Sequence, residues 1–223
     1  MCGRFSEHLS KMYGWVEFLQ DWPRPEHPRH NVAPTTNIGV VTAEGGRLML
    51  WGMIPSWSDS FESSYATFNA RIETLREKPT FRGAWKHGTR CLIPARGYFE
   101  WKQLGNYKQP YFIHDESHAP LVFAGLWEPW EPKDGKAEVE PRYSCTIITK
   151  PAEGKLAALH DRLPVMLELN QAEEWLRGEQ REAEMVIPFS KSEGLTYYPV
   201  SRKVNNARVQ ADDLIDPIDD PAR

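Results

Sequence analysis

The residues that could do chemistry in this chain begin at its second position, where a cysteine follows the initiator methionine. A small residue such as Cys2 permits removal of Met1, and Cys2 then becomes the N-terminus. It would carry an α-amine with a reference pKa of about 7.7–8.0 and a thiol of about 8.5 on adjacent carbons, both partly deprotonated near neutrality. Such a 1,2-aminothiol condenses with aldehydes. The amine forms a Schiff base, and the thiolate closes onto the same carbon to give a five-membered thiazolidine. Further along, Glu100 interrupts the aromatic run Gly97-Tyr98-Phe99-Glu100-Trp101-Lys102, where a charge is costly unless paired or employed. His160-Asp161-Arg162 lies between a helical pattern and an apolar run; an imidazole can shuttle protons and a guanidinium can grip phosphate bidentately. Asn69, Arg71 and Glu73 alternate, and in an extended segment alternate side chains share a face. Trp101 could stack on a base. The same letters are compatible with an incidental small residue at position 2, a solvent-facing Glu100, an Asp161–Arg162 pair that closes a loop, and a core Trp101.

Positioning such groups requires a folded core. With 40% hydrophobic and 12% aromatic residues, the 223-residue chain holds enough apolar material for one domain. Residues 210–223 are acidic and proline-containing and are expected to form a disordered tail. The net charge of −4 means that a nucleic acid must be held by a local basic groove, which argues against non-specific coating of duplex DNA. Cys2, Cys91 and Cys145 are odd in number and form no CxxC pair, which disfavours a disulfide framework or a zinc site and fits a reducing cytoplasm. No cofactor or metal is expected. The first 20 residues lack the apolar run of a signal peptide, and no 18-residue apolar stretch is present for a membrane span.

Periodicity predicts a helix over residues 7–20, capped by Ser6, with Leu9, Met12, Tyr13, Val16 and Leu19 on one face. Residues 21–36, rich in proline, read as an irregular connection, and residues 37–43 and 47–53 as a hairpin around Glu44-Gly45-Gly46. An extended stretch at 67–74 and a helix at 80–87 precede strand-like runs at 89–95, 97–102, 111–114, 121–127 and 143–149, with bends at Gly97 and Gly125. Short helices at 150–159 and 171–177 and a strand at 197–201 complete the reading, with Cys91 and Cys145 as inert buried thiols. The pattern predicts a single α+β domain with a mostly antiparallel, barrel-like β core flanked by short helices.

Seven blocks carry a further signal in their order and spacing. Met1-Cys2-Gly3-Arg4-Phe5, Asn31-Val32-Ala33-Pro34, Trp51-Gly52 with Pro55-Ser56-Trp57, Asn69-Ala70-Arg71-Ile72-Glu73-Thr74, Cys91-Leu92-Ile93-Pro94-Ala95, Gly97-Tyr98-Phe99-Glu100-Trp101 and His160-Asp161-Arg162-Leu163-Pro164 resemble the SOS-response-associated peptidase (SRAP) family from residue 1 to about 209. The resemblance implies covalent capture of abasic sites in single-stranded DNA by the N-terminal cysteine. A monomer is expected, cytoplasmic and nucleoid-associated when bound to DNA. By this resemblance Asn69 orients the Cys2 amine, Glu100 moves protons during ring closure and reversal, and His160 assists Schiff-base formation. Arg4, Arg71 and Arg162 would hold phosphates, Trp57 and Trp101 would stack on flanking bases, and Pro34 would border the DNA. The family's peptidase name would correspond to self-removal of Met1. Two other readings use the same residues: a thiol peptidase with Cys2 as nucleophile and His160 as base, and a single-strand binding module with no covalent step.

Overall fold

Strand pairing starts at the fifth residue and organises nearly everything after it. The computed structural model describes residues 2–9, 12–62, 65–133 and 140–221. Its strands are β1 (Phe5–Glu7), β2 (Arg29–Val32), β3 (Asn37–Thr42), β4 (Gly45–Trp51), β5 (Asn69–Arg71), β6 (Arg90–Ala95), β7 (Gly97–Leu104), β8 (Tyr107–Asp115), β9 (Leu121–Trp130), β10 (Arg142–Pro151), β11 (Arg162–Pro164) and β12 (Leu195–Pro199). The helices are short: α1 (Val16–Leu19), α2 (Pro79–His87), α3 (Ala172–Leu176) and α4 (Gln180–Val186). None of the described helices is long and apolar enough to cross a membrane.

Strands β10, β4, β3, β6 and β9 follow one another, and β9 pairs back onto β10, so this sheet closes into a five-stranded barrel. Its pairings are antiparallel except β4 with β10. A second sheet, in the order β12-β8-β7-β1-β2, packs beside it. The fold is therefore α+β with a mostly antiparallel β core. Phe5 is fully buried between the two, its ring 5.0 Å from that of Trp51 and 6.2 Å from that of Phe123. Gly97 and Gly125 are required by close approach. A Cβ on Gly125 would lie 2.7 Å from the Cys91 sulfur, and one on Gly97 would run into Ile113 and Phe112 of the neighbouring strand.

Several expectations are corrected. The 7–20 helix shrinks to a 3-10 turn at Tyr13–Trp15 and α1, and Ser6 is a strand residue whose hydroxyl meets His30 Nδ1 at 2.9 Å. Pairing of β1 with both β2 and β7 satisfies backbone groups that a lone helix start would leave open. The expected face is also rotated, with Tyr13 and Val16 exposed while Trp15 and Leu19 are buried. Within the proline-rich connection the proline-free stretch Arg29–Val32 forms β2. Strand β10 runs on to Pro151, leaving only a 3-10 turn at Gly154–Ala158 of the helix expected there. The acidic tail is packed: Leu214 and Ile215 are buried in a 3-10 turn against Phe99 and Phe112, and Pro217 bridges to Val200. Two well-placed apolar residues suffice to dock a segment whose average composition is polar.

Candidate active site

Antiparallel pairing of Phe5 with Tyr98, extended by Phe99 N–H donating to Arg4 O at 2.9 Å, runs the residues before Phe5 alongside Glu100 and Trp101. Cys2 is carried into the interior and is fully buried. From the barrel side, β10 gathers the other groups. Asn69 and Arg71 on β5 pair with Ile147 and Thr149, and Arg162 on β11 pairs with Pro151. His160 stands just ahead of β11, its backbone N–H bonded to Leu156 O. The site thus forms where the two sheets meet.

Asn69 Nδ2 donates to Cys2 O at 2.7 Å, and among the described residues the buried Asn69 Oδ1 has no partner. His160 Nε2 lies 3.8 Å from Glu100 Oε2. Burial pushes the Glu100 carboxyl up to about 7 and holds the His160 imidazole below its ordinary value, so near neutrality a carboxyl that holds its proton more readily than usual faces a neutral imidazole. The tautomer follows from the backbone. Arg162 N–H donates to His160 Nδ1 at 3.0 Å, which leaves the proton on Nε2 toward Glu100. Asp161 Oδ1, at 2.9 Å from the same Nδ1, would then be a second acceptor; it belongs to an exposed side chain that water can rotate away, so the backbone contact decides. The Cys2 thiol is pushed well up by burial and by the negative charge of Glu100.

A cavity of about 480 Å³ opens onto this pair, lined by Arg4, Glu100, Trp101, Lys108, His160 and Asn205. Arg4 lies over the Trp101 ring with 5.9 Å to its centroid, and its Nη1 donates to Asn31 Oδ1 at 2.6 Å and Val204 O at 2.7 Å. Asn31 also donates through Nδ2 to Asn206 O and Val209 O. The remaining candidates lie differently. Arg71 is exposed. Arg162 is buried, with Nη1 and Nη2 bound to Glu73 at 2.5 and 2.9 Å and Nη2 also to Thr149 O, so both terminal nitrogens serve the protein itself, while Nε has no partner among the described residues. Glu73 lies beyond the end of β5, and the shared strand face expected for Asn69, Arg71 and Glu73 is not formed. Trp57 is 59% exposed, outside the lining of this cavity. Pro34 borders a separate cavity of about 380 Å³ with Trp51, Phe61, Phe68 and Arg142. Sequence reasoning missed Lys108 and Asn205. The Gly105-Asn106 turn between β7 and β8 places Lys108 opposite Gln103, and a hairpin reading could have found it; nothing local marks Asn205.

Comparisons with known proteins bear on the family and the fold. The model of the SOS response associated peptidase (SRAP) family matches residues 1–207. The chain is 34% identical over 228 residues to abasic site processing protein YoaM of Bacillus subtilis, covering 97% of this chain and 98% of that one. It is 33% identical over 236 residues to abasic site processing protein YedK of Escherichia coli, covering 98% and 100%. Among solved structures, a Bacteroides thetaiotaomicron protein superposes with a TM-score of 0.80 at 23% identity over 96% of this chain and 99% of that one, a likeness of fold. A phage-related protein of Bordetella bronchiseptica does so with 0.67 at 31% identity, covering 90% and 95%. By family match, identity and fold together, the chain belongs to the SRAP family.

Proposed function

We propose that this protein processes abasic sites in DNA by capturing the lesion's aldehyde covalently on Cys2 once Met1 has been removed. The Cys2 amine would attack the aldehyde carbon of the ring-opened sugar and release water, giving a Schiff base. The thiol then adds to the same carbon while its proton passes through Glu100 to the former imine nitrogen, closing a thiazolidine. Overall one aldehyde and one aminothiol yield one thiazolidine and one water. His160, neutral with a proton on Nε2, would relay protons at the sugar during opening and dehydration. Single-stranded DNA is the partner that suits a buried terminus, because a paired, stacked duplex would have to be distorted to deliver the carbon. Arg4 and Lys108 supply the local positive charge that a protein of net charge −4 needs. In this reading the protein works as a monomer in the cytoplasm, and Met1 is lost by hydrolysis, either by the protein itself or by an aminopeptidase.

The observation that carries the reading is the setting of Asn69. Its amide nitrogen already holds the Cys2 carbonyl while its buried oxygen has no donor among the described residues, and a free amine on Cys2 would supply one. A thiol peptidase would need a thiolate favoured by nearby positive charge; burial and Glu100 act in the opposite direction on Cys2. The test is a denaturing gel of purified protein with an abasic single strand, an intact strand and an abasic duplex. A denaturation-resistant adduct is expected with the abasic single strand. It should vanish in Cys2→Ala and in a form retaining a residue before Cys2, since an acylated nitrogen cannot form the Schiff base. Undiminished adduct in either variant would sink the mechanism.

A further inference from the structure

We infer that Asn205 reads the edge of the nucleobase that stacks on Trp101, so that the protein prefers certain bases beside the lesion. The inference rests on the single-strand capture proposed above and adds a specificity-determining residue to it. Trp101 Nε1 meets Asn205 Oδ1 at 2.7 Å. An indole N–H only donates, so the oxygen of Asn205 must be the atom that faces it, and the orientation of the amide follows. Its Nδ2 is left as a donor that makes no hydrogen bond among the described residues, and Asn205 lines the cavity shared with Glu100 and His160. The guanidinium of Arg4 lies over the Trp101 ring and takes one of its faces. Trp101 is half-buried, packed in part against the cluster of Phe99, Val200 and Val204, and the part of its ring that lines the cavity is what a base entering there would stack on. An acceptor of the indole N–H sits at the rim of the ring, so the Asn205 amide NH2 is within one side-chain's reach of the edge of a base stacked there.

The backbone that presents Asn205 is fixed from several sides. Val204 is fully buried among Phe99, Phe112 and Leu214. Its carbonyl accepts from Arg4 at 2.7 Å, and Asn31 Nδ2 ties down the next residues through Asn206 O at 3.0 Å and Val209 O at 2.8 Å. The donor is therefore preorganised, which lowers the ordering cost of a single hydrogen bond. A fixed donor favours a base edge with a carbonyl oxygen or ring nitrogen and disfavours one with an exocyclic amine.

The experiment measures adduct formation rates on abasic single strands that differ only in the base on the 5′ side, and on a second set that differ only on the 3′ side. The parent, Asn205→Ala, Asn205→Asp and Trp101→Phe are compared. At one flank the parent rate should vary about three- to tenfold among the four bases, the factor of one neutral hydrogen bond. Asn205→Ala should bring the four rates within about twofold of one another, because the donor is gone. Asn205→Asp keeps an oxygen for the indole N–H and replaces the donor by an acceptor, so its preference should move toward adenine and cytosine. Trp101→Phe keeps the stacking face, frees the amide, and should also flatten the preference. These are ratios within each variant, so a uniform loss of binding does not alter them. Equal parent rates at both flanks, or a preference that survives Asn205→Ala, would overturn the inference while leaving covalent capture standing. Absence of adduct with every strand would overturn the capture reading and this inference with it.

Discussion

Two buried carboxylates, Glu7 and Glu100, sit on neighbouring strands of the same sheet, and burial pushes both up to about 7. Their surroundings differ. Glu7 Oε1 accepts from Gly39 N–H and Oε2 from Arg29 Nη1, each at 2.6 Å, which ties β1 to β3 and β2. Glu100 faces a neutral imidazole across 3.8 Å, next to the Cys2 thiol that its charge raises. Glu7 also borders a groove, with Pro23, Pro25 and Leu48, so access to a cavity does not separate the two. The neighbours do. A carboxylate held by permanent donors is a structural tie, and one that faces a titratable group can carry a proton. A perturbed pKa by itself marks burial, and the partner decides the role.

The comparison breaks most sharply at Glu100. Glu100→Gln is expected to slow adduct formation by about 100-fold or more, the range of general acid–base contributions. Stability should move the other way. Because the folded-state pKa lies above the ordinary value of 4.5, folding favours the protonated form. That contribution is full below about 4.5 and is lost as pH rises through 7, whereas Gln does not titrate. Denaturant unfolding should show Glu100→Gln gaining about 2 kcal/mol on the parent between pH 5 and pH 8. A variant that tracks the parent over that range would show that Glu100 titrates normally. The parent's adduct rate should also carry an inflection near pH 7 that the variant lacks.

Glu7→Gln should give the complementary result. The amide places an NH2 against either Arg29 or Gly39 N–H, both donors, so one contact is lost and stability at pH 5 falls by about 1–3 kcal/mol, with the same rise relative to the parent toward pH 8 because the Glu7 carboxyl is raised as far. The adduct rate per folded molecule should stay within about threefold. A rate loss as large as that at Glu100, with the variant fully folded, would erase the distinction drawn here.

A smaller effect sharpens the same lesson among the arginines. Arg162→Ala removes the fork that holds Glu73 and Thr149 O, and should lower stability by about 1–3 kcal/mol while leaving the salt dependence of DNA binding unchanged. Arg71→Ala should leave unfolding unchanged and make the salt slope shallower by about 0.7, the value of one phosphate contact on a single strand. The reverse pairing, measured by DNA titrations at several salt concentrations, would exchange their roles.

Most strands and α2 were legible, β1, β2 and β11 excepted, because each is written in local pattern: β-branched and aromatic runs between turn residues, and Pro79 at a helix start with Gly88 at its left-handed end. The hairpin of β3 and β4 followed from Glu44-Gly45-Gly46. The first helix was misread because Leu9, Met12, Val16 and Leu19 mimic a helical face, while Phe5–Glu7 gains more by pairing with two strands that lie 22 residues or more away in sequence. Helix α4 was missed, although its Glu179–Glu182 capping box is a local signal. Ser10 and Lys11, inside the expected helix, lie outside the described residues.

The sequence by itself determined the chemistry available: an aminothiol latent at Cys2, an Asn, a Glu and a His of suitable type, and a fold class in which strands dominate. These are properties of residue identity and short-range order. Only the tertiary structure decided which of them meet. Closure of β9 onto β10 and the seating of β1 between β2 and β7 bring Cys2 to Asn69 across 67 positions and set Glu100 against His160. The same fold buries Arg162 in an ion pair, leaves Arg71 in solvent, and brings the turn ahead of the acidic end back so that Asn205 touches Trp101. Local sequence cannot encode these outcomes, because burial and the identity of a distant neighbour are set only when the sheets close.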